Sequence, residues 1–162
     1  MSSGFTIRKA MVKDARVLHG LLNTRAKEGL LLPRSFNQLY TSIRDFYVAE
    51  DESGAVRGCC ALTICWEDLA EIRSLVVDPK AQGLGLGREL AEACIEEARS
   101  LGLARVFTLT YVVDFFDKLG FTRVEKDVLP QKVWADCLNC LKFPECDEIA
   151  MLMHLDGSEV KA

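Results

Sequence analysis

The run Gln82-Gly83-Leu84-Gly85-Leu86-Gly87-Arg88 constrains this chain more than any other. An apolar, β-branched stretch through Leu75, Val76 and Val77 reads as a strand and leads into it past Asp78 and Pro79. A helical pattern follows, roughly Leu86 to Arg99, with Leu90, Ala93, Cys94 and Ala98 on its inward face and Gly102 at its end. Between strand and helix, glycine lets backbone approach a ligand with no Cβ in the way. The first turn of a helix offers unpaired N–H groups and the positive end of the dipole. Strand, glycine loop and helix start together form a cradle for a diphosphate, to which Arg88 adds charge. Two other phosphate loops are excluded. No Gly-Lys-Ser/Thr follows, and the spacing is Gly-x-Gly-x-Gly rather than Gly-x-Gly-x-x-Gly. A glycine-rich connection with no ligand is the competing reading, and three alternate glycines are an entropically costly way to build one.

Around this loop the chain alternates between strands and helices. Phe5 to Arg8 is a strand pattern, and Asp14 is placed to cap a helix carrying Ala15, Leu18, Leu21 and Leu22, which Gly29 suits as an end. Ser35-Phe36-Asn37-Gln38 is a capping box opening a second helix with Phe36, Leu39, Tyr40 and Ile43 on one face. Strands are expected at Phe46 to Glu50, Val56 to Trp66 and Leu69 to Asp78, joined by short polar turns. Arg105 to Thr110 is a further strand. A short helix through Phe115, Phe116 and Leu119 ends at Gly120, and strands follow at Phe121 to Val124 and Ile149 to Leu155. This order predicts an α/β fold: one mixed sheet with helices on both faces, as a single domain over residues 1–162.

Composition narrows the class. Apolar residues are 49% and charged residues 27%, a globular balance, and no apolar run reaches the roughly 18 residues of a membrane span. The net charge of −4 argues against nucleic acid as the main partner. The start has no apolar stretch behind basic residues, so a cytoplasmic location with reduced thiols is expected for the seven cysteines. Cys59, Cys60, Cys65 and Cys94 lie among apolar residues and read as small core hydrophobes.

Gln82 to Gly87 resembles the Arg/Gln-x-x-Gly-x-Gly/Ala signature of the GNAT acyltransferases. Phe115 to Phe121 is similar to that family's later block ending in Gly-Phe, in the right order and at the usual separation. The resemblance implies the acyl-CoA N-acyltransferase fold, with acetyl-CoA as cosubstrate. It places the pyrophosphate on Gln82, Gly83, Leu84, Gly85, Leu86, Gly87 and Arg88, and the pantetheine arm along Leu75, Val76 and Val77, with Phe116 also at the cofactor. It implies that the Leu75 N–H faces the thioester carbonyl as an oxyanion donor. Glu71 matches the glutamate base of several members. Read from the residues, Glu71 shares a strand face with Arg73, Leu75 and Val77, and the alternative is a solvated glutamate paired with Arg73. Where many relatives carry a tyrosine as general acid, this chain has Phe116, which has no proton to give. Tyr111 is the nearest substitute, and an unassisted thiolate is the other reading.

Gly29 to Ser35, Leu109-Thr110, the Phe115 to Phe121 block, Leu129-Pro130 and Ala150-Met151 resemble more closely the short bacterial N-acetylglutamate synthases and the acetyltransferase domain of the longer ones. That implies glutamate as the amino-acid acceptor, and dimers are common in the family. A substrate with two carboxylates calls for arginines, and Arg34 and Arg73 are the candidates, each weighed against an ordinary surface role. Cys137, Cys140 and Cys146 form Cys-x2-Cys-x5-Cys, a spacing able to hold zinc with His154 or Asp147 as a fourth ligand. Buried or redox-sensitive thiols are the other reading of that cluster, and the predicted catalytic site contains no metal. Acetylation of another amine and non-catalytic acetyl-CoA sensing stand as alternative functions.

Overall fold

The computed structural model describes residues 4–27, 34–129 and 148–155. Its strands are β1 (Thr6–Lys9), β2 (Phe46–Glu50), β3 (Val56–Trp66), β4 (Leu69–Val77), β5 (Arg105–Thr110), β6 (Thr122–Val124) and β7 (Ile149–His154). Its α-helices are α1 (Ala15–Lys27), α2 (Phe36–Thr41), α3 (Leu86–Ser100) and α4 (Val113–Leu119). The strands hydrogen-bond in the order β1-β2-β3-β4-β5-β7-β6, a mixed sheet in which β4 and β5 run parallel. No helix among the described residues is long and apolar enough to cross a membrane. Two compact units divide the chain, and β3 and β4 run from one into the other.

The first unit takes the described residues up to Leu62 and Ile72–Glu97. Leu18 and Leu22 of α1 and Leu39 of α2 pack with Phe46, Cys59 and Val76 in one buried cluster. Each fully buried leucine contributes about 1.5–3 kcal/mol. On the other side of the same strands, a Cβ added at Gly58 would stand 3.1 Å from Leu90 Cδ1 of α3 and 3.1 Å from the Val76 carbonyl oxygen. The glycine therefore lets α3 lie close against β3. Ala91 and Ile95 join Leu90 and Cys94 in the core, whereas Ala93, expected inward, is half-buried.

The capping box forms as expected. The Ser35 N–H donates to Gln38 Oε1 at 2.9 Å, and the Gln38 N–H donates to Ser35 Oγ at 3.1 Å. With only six residues, α2 buries Leu39 alone, and Ile43 follows it into the core. Phe36 and Tyr40 share that helix face but are 36% and 44% exposed, and Phe36 stacks on the His19 ring at 4.1 Å.

Asp14 does not cap α1 from outside. It ends a 3-10 turn, Val12–Asp14, and its carboxylate accepts from the Met11 N–H at 2.7 Å and from both Arg8 Nη atoms at 2.9 and 3.1 Å. Burial pushes this carboxyl up, and the Arg8 and Met11 bonds more than reverse that, so it ionises below its ordinary value. A depressed carboxyl contributes stability above its unfolded pKa and loses it as pH falls through the folded value. Asp14→Asn is therefore expected to lower unfolding free energy by about 1–3 kcal/mol at neutral pH and by little in strong acid, read from denaturant titrations at both.

The second unit takes Thr63–Glu71 and the described residues from Ala98 on. Here the parallel ladder of β4 on β5 pairs Leu69 with Arg105, Ala70 with Val106 and Glu71 with Phe107. β7 inserts antiparallel between β5 and β6. Leu69, Phe107, Leu129, Ala150 and Leu152 form its core. Gly120 ends α4 at φ 106°, a left-handed backbone that calls for glycine, and a Cβ there would stand 3.2 Å from Met153 Cε.

Candidate active site

β4 ends at Val77, and Asp78 turns the chain. Its Oδ1 accepts from the Lys80 N–H at 2.9 Å, starting the 3-10 turn Pro79–Ala81 with proline at its first position. Asp78 Oδ2 also takes Arg57 Nη1 at 3.3 Å. The Gln82 side chain reaches back, its Nε2 donating to the Val77 carbonyl at 3.3 Å. Gln82, predicted to hold cofactor, thus braces the loop onto the strand that feeds it.

Gly83 and Gly85 have φ of 84° and 81°, the left-handed region that side chains avoid. A Cβ at either would meet nothing within 4 Å, so the space beside both glycines is open to a ligand. The first helical bond of α3 runs from the Glu89 N–H to the Gly85 carbonyl at 3.2 Å. The N–H groups of Leu86, Gly87 and Arg88 therefore precede the helical ladder, as a diphosphate cradle requires. The Leu86 side chain is 1% exposed and anchors the helix, leaving its backbone to serve the cradle. Leu84 is exposed, and Arg88 pairs with Glu92 one turn on at 3.1 Å.

Burial alternates along β4. Ile72, Ser74 and Val76 are buried, while Glu71, Arg73, Leu75 and Val77 are half-buried, the shared face that period two predicted. The Val76 side chain belongs to the core under α1, so it is the Val76 backbone that could meet a cofactor. One residue breaks the regular strand. Ser74 has φ 58°, the only left-handed non-glycine among the described residues, immediately before Leu75. Its carbonyl accepts from the Cys59 thiol at 3.4 Å. Burial pushes that thiol up to about 12, so it stays protonated and donating at physiological pH.

Arg34 converges on the same residue. Its Nη2 donates to Ser74 Oγ at 3.1 Å and its Nη1 to Ser42 Oγ at 3.5 Å. The guanidinium lies 5.6 Å from the Phe46 ring centroid. The Asn23 side chain brackets the Arg34 backbone, taking its N–H at 3.1 Å and giving to its carbonyl at 3.2 Å. Three elements thus hold an arginine whose role was read from its place between two helices. Sequence reasoning missed Ser74, Ser42 and Asn23. Only the Asn and Ser residue types, tolerant of left-handed backbone or able to bond it, hinted at them.

In the second unit, Glu71 sits on β4 opposite Phe107. Tyr111 follows β5 directly and is 37% exposed. The next residue's N–H, that of Val112, donates to Thr110 Oγ1 at 2.9 Å, which turns the chain there. Phe116 is 3% exposed and packs edge-on against Phe115 at 5.0 Å and Phe121 at 5.3 Å.

Cys59, Cys60 and Cys94 are buried thiols, and Cys65 is half-buried. Cys94 bonds Cys60, and burial adds to that, so the Cys60 thiol is raised well above its ordinary value. The Cys59 and Cys60 thiols are thus packed and protonated rather than nucleophilic. Cys137, Cys140, Cys146 and Asp147 lie outside the described residues, as does Gly29. His154 closes β7 as a strand residue, its Nδ1 buried without a partner among the described residues. Among those residues, no group of His, Cys, Asp and Glu has the arrangement to hold a metal.

The acetyltransferase (GNAT) family matches residues 21–121. An uncharacterized N-acetyltransferase of Chlorobaculum tepidum is 42% identical over 149 residues, 92% of this chain and 96% of its own length. The amino-acid acetyltransferase of Mycobacterium tuberculosis is 36% identical over 157 residues, 96% of this chain and 86% of its own length. Among solved structures, N-acetylglutamate synthase of Neisseria gonorrhoeae, complexed with coenzyme A and N-acetyl-glutamate, superposes with a TM-score of 0.85 at 29% identity. That match covers 96% of this chain and 36% of the larger one.

Proposed function

The chain belongs to the acetyltransferase (GNAT) family, and from that premise we propose that it acetylates the α-amine of L-glutamate, as one cytoplasmic catalytic domain. The observation that carries the acceptor is Arg34, held by Ser74 and Ser42 one residue before the strand position assigned to the thioester. A guanidinium fixed in this way is a cation of the type that carboxylates pair with best. The nature of the named relatives supports the same reading, since one is an amino-acid acetyltransferase and another holds N-acetyl-glutamate.

Acetyl-CoA supplies an acetyl group activated as a thioester. The loop amides at Leu86, Gly87 and Arg88 bind its diphosphate, and the open space beside Gly83 and Gly85 admits it. The backbone of Leu75 to Val77 carries the pantetheine arm, and the Leu75 N–H donates to the carbonyl oxygen as negative charge grows there. Arg34 holds an acceptor carboxylate, with Arg73 on the half-buried face of β4 as a second cation. Glu71 takes a proton from the ammonium, directly or through a water, so that the amine attacks as a neutral nucleophile. The new bond is amine nitrogen to acetyl carbon, and the bond that breaks is carbon to sulfur. Tyr111 gives the departing thiolate a proton and is restored by the second proton that the attacking nitrogen loses as it becomes an amide. A thiol pKa near 8.5 makes that assistance modest.

A screen of amines for CoA release tests the proposal. Release with glutamate, and not with other amino acids or polyamines, is the expected result. Release confined to cationic amines, or tight acetyl-CoA binding without turnover, overturns it. Glu71→Gln should lower kcat/KM by about 100-fold near neutral pH and recover toward wild type as the pH rises and the amine loses its own proton. A constant ratio across the pH profile would remove Glu71 as the base.

A further inference from the structure

Resting on the acceptor role proposed for Arg34, we propose that the Ser74 hydroxyl is a positioning group that sets acceptor affinity by fixing the Arg34 guanidinium. Arg34 and Ser74 are 40 residues apart in sequence, and the link between them is a 3.1 Å bond from Nη2 to Ser74 Oγ. A long arginine side chain loses rotamer entropy when it is fixed. Here that loss is taken before a substrate arrives. One guanidinium nitrogen rests on Ser74, the other lies 3.5 Å from Ser42 Oγ, and the plane lies over Phe46. Ser42 is held in turn, its Oγ donating to the Gln38 carbonyl at 2.7 Å inside the box-capped helix α2. Preorganisation of this kind raises affinity without adding a contact to the ligand.

Ser74 is itself over-determined. A serine at φ 58° is strained, and a residue holds such a backbone only when its surroundings require it. The Cys59 thiol, protonated and buried, ties down the Ser74 carbonyl from β3. Glycine would suit the backbone better, so the serine side chain is what the position retains beyond conformation. A hydroxyl that accepts from Arg34 also keeps one proton of its own to donate.

This separates hydroxyl from backbone in one experiment. Ser74→Gly keeps the left-handed conformation and removes only the side chain. It is expected to raise KM for the acceptor about tenfold, the scale of one hydrogen bond to a charged group, with kcat and KM for acetyl-CoA within about twofold. Ser74→Asn, which tolerates the same backbone and restores an acceptor oxygen, should recover part of that loss. In an Arg34→Ala background, Ser74→Gly should add less than about twofold, because the group it positions is gone. Unchanged acceptor KM in Ser74→Gly, or an equal increase with and without Arg34, overturns the proposal. Turnover of a different carboxylate-bearing amine in place of glutamate would end the glutamate reading while leaving the Ser74 comparison to be made on that amine. Turnover only of amines lacking a carboxylate would overturn both.

Discussion

Gly85→Asp should leave the protein folded and remove most of its affinity for acetyl-CoA. A side chain at this position meets open space, so packing is not disturbed. The backbone at φ 81° costs a non-glycine residue about 1–2 kcal/mol, and aspartate is among the residues that tolerate it best. The carboxylate would project beside the free amides that begin α3, where it repels a diphosphate and competes for its donors. Losing even two charge-assisted hydrogen bonds of about 1.5–3 kcal/mol each predicts a rise in the acetyl-CoA Kd of at least about 100-fold. Thermal unfolding keeps the explanation specific, because Tm should fall by only a few degrees. A folded Gly85→Asp variant with wild-type affinity would show that the diphosphate lies elsewhere.

The second large effect is at the acceptor. Arg34→Ala should raise KM for glutamate by about 30- to 100-fold, the loss of a bidentate charged contact, with KM for acetyl-CoA within about twofold. Arg34→Lys should restore only part of this, since an ammonium cannot span a carboxylate with two parallel bonds. The Asn23 bracket engages only the Arg34 backbone and survives both substitutions, so the loop should keep its path. Equal increases in both KM values would take Arg34 out of the acceptor site.

Local features were legible in the sequence because their causes are local. The Ser35–Gln38 box forms with both bonds, β2 and β3 begin and end where the pattern predicts, and Gly83, Gly85, Gly102 and Gly120 adopt the left-handed backbone their positions call for. The loop and its helix belong to this class, and so does the alternation of burial along β4. What could not be read depends on partners that the local strand or helix pattern does not specify. Asp14 looked like a cap because its partner, Arg8, lies on the preceding strand rather than in the helix. Phe36 shares a helix face with Leu39 in the pattern, which does not reveal that it stacks on His19. Gln82 was legible as part of the loop motif, whereas the bond from its amide back to the Val77 carbonyl was not. Ser74 offered its residue type and nothing more: a serine within a strand pattern does not announce a left-handed turn or an arginine arriving from 40 residues away.

The central claim is that the amides at the start of α3 hold the diphosphate of an acyl-CoA. Calorimetric titration with coenzyme A and, in parallel, with pantetheine, which lacks the nucleotide and its diphosphate, addresses it directly. Coenzyme A should bind at least about 100-fold more tightly than pantetheine, and Gly85→Asp should abolish that difference. Equal affinity for the two, or no binding of either, would contradict the account.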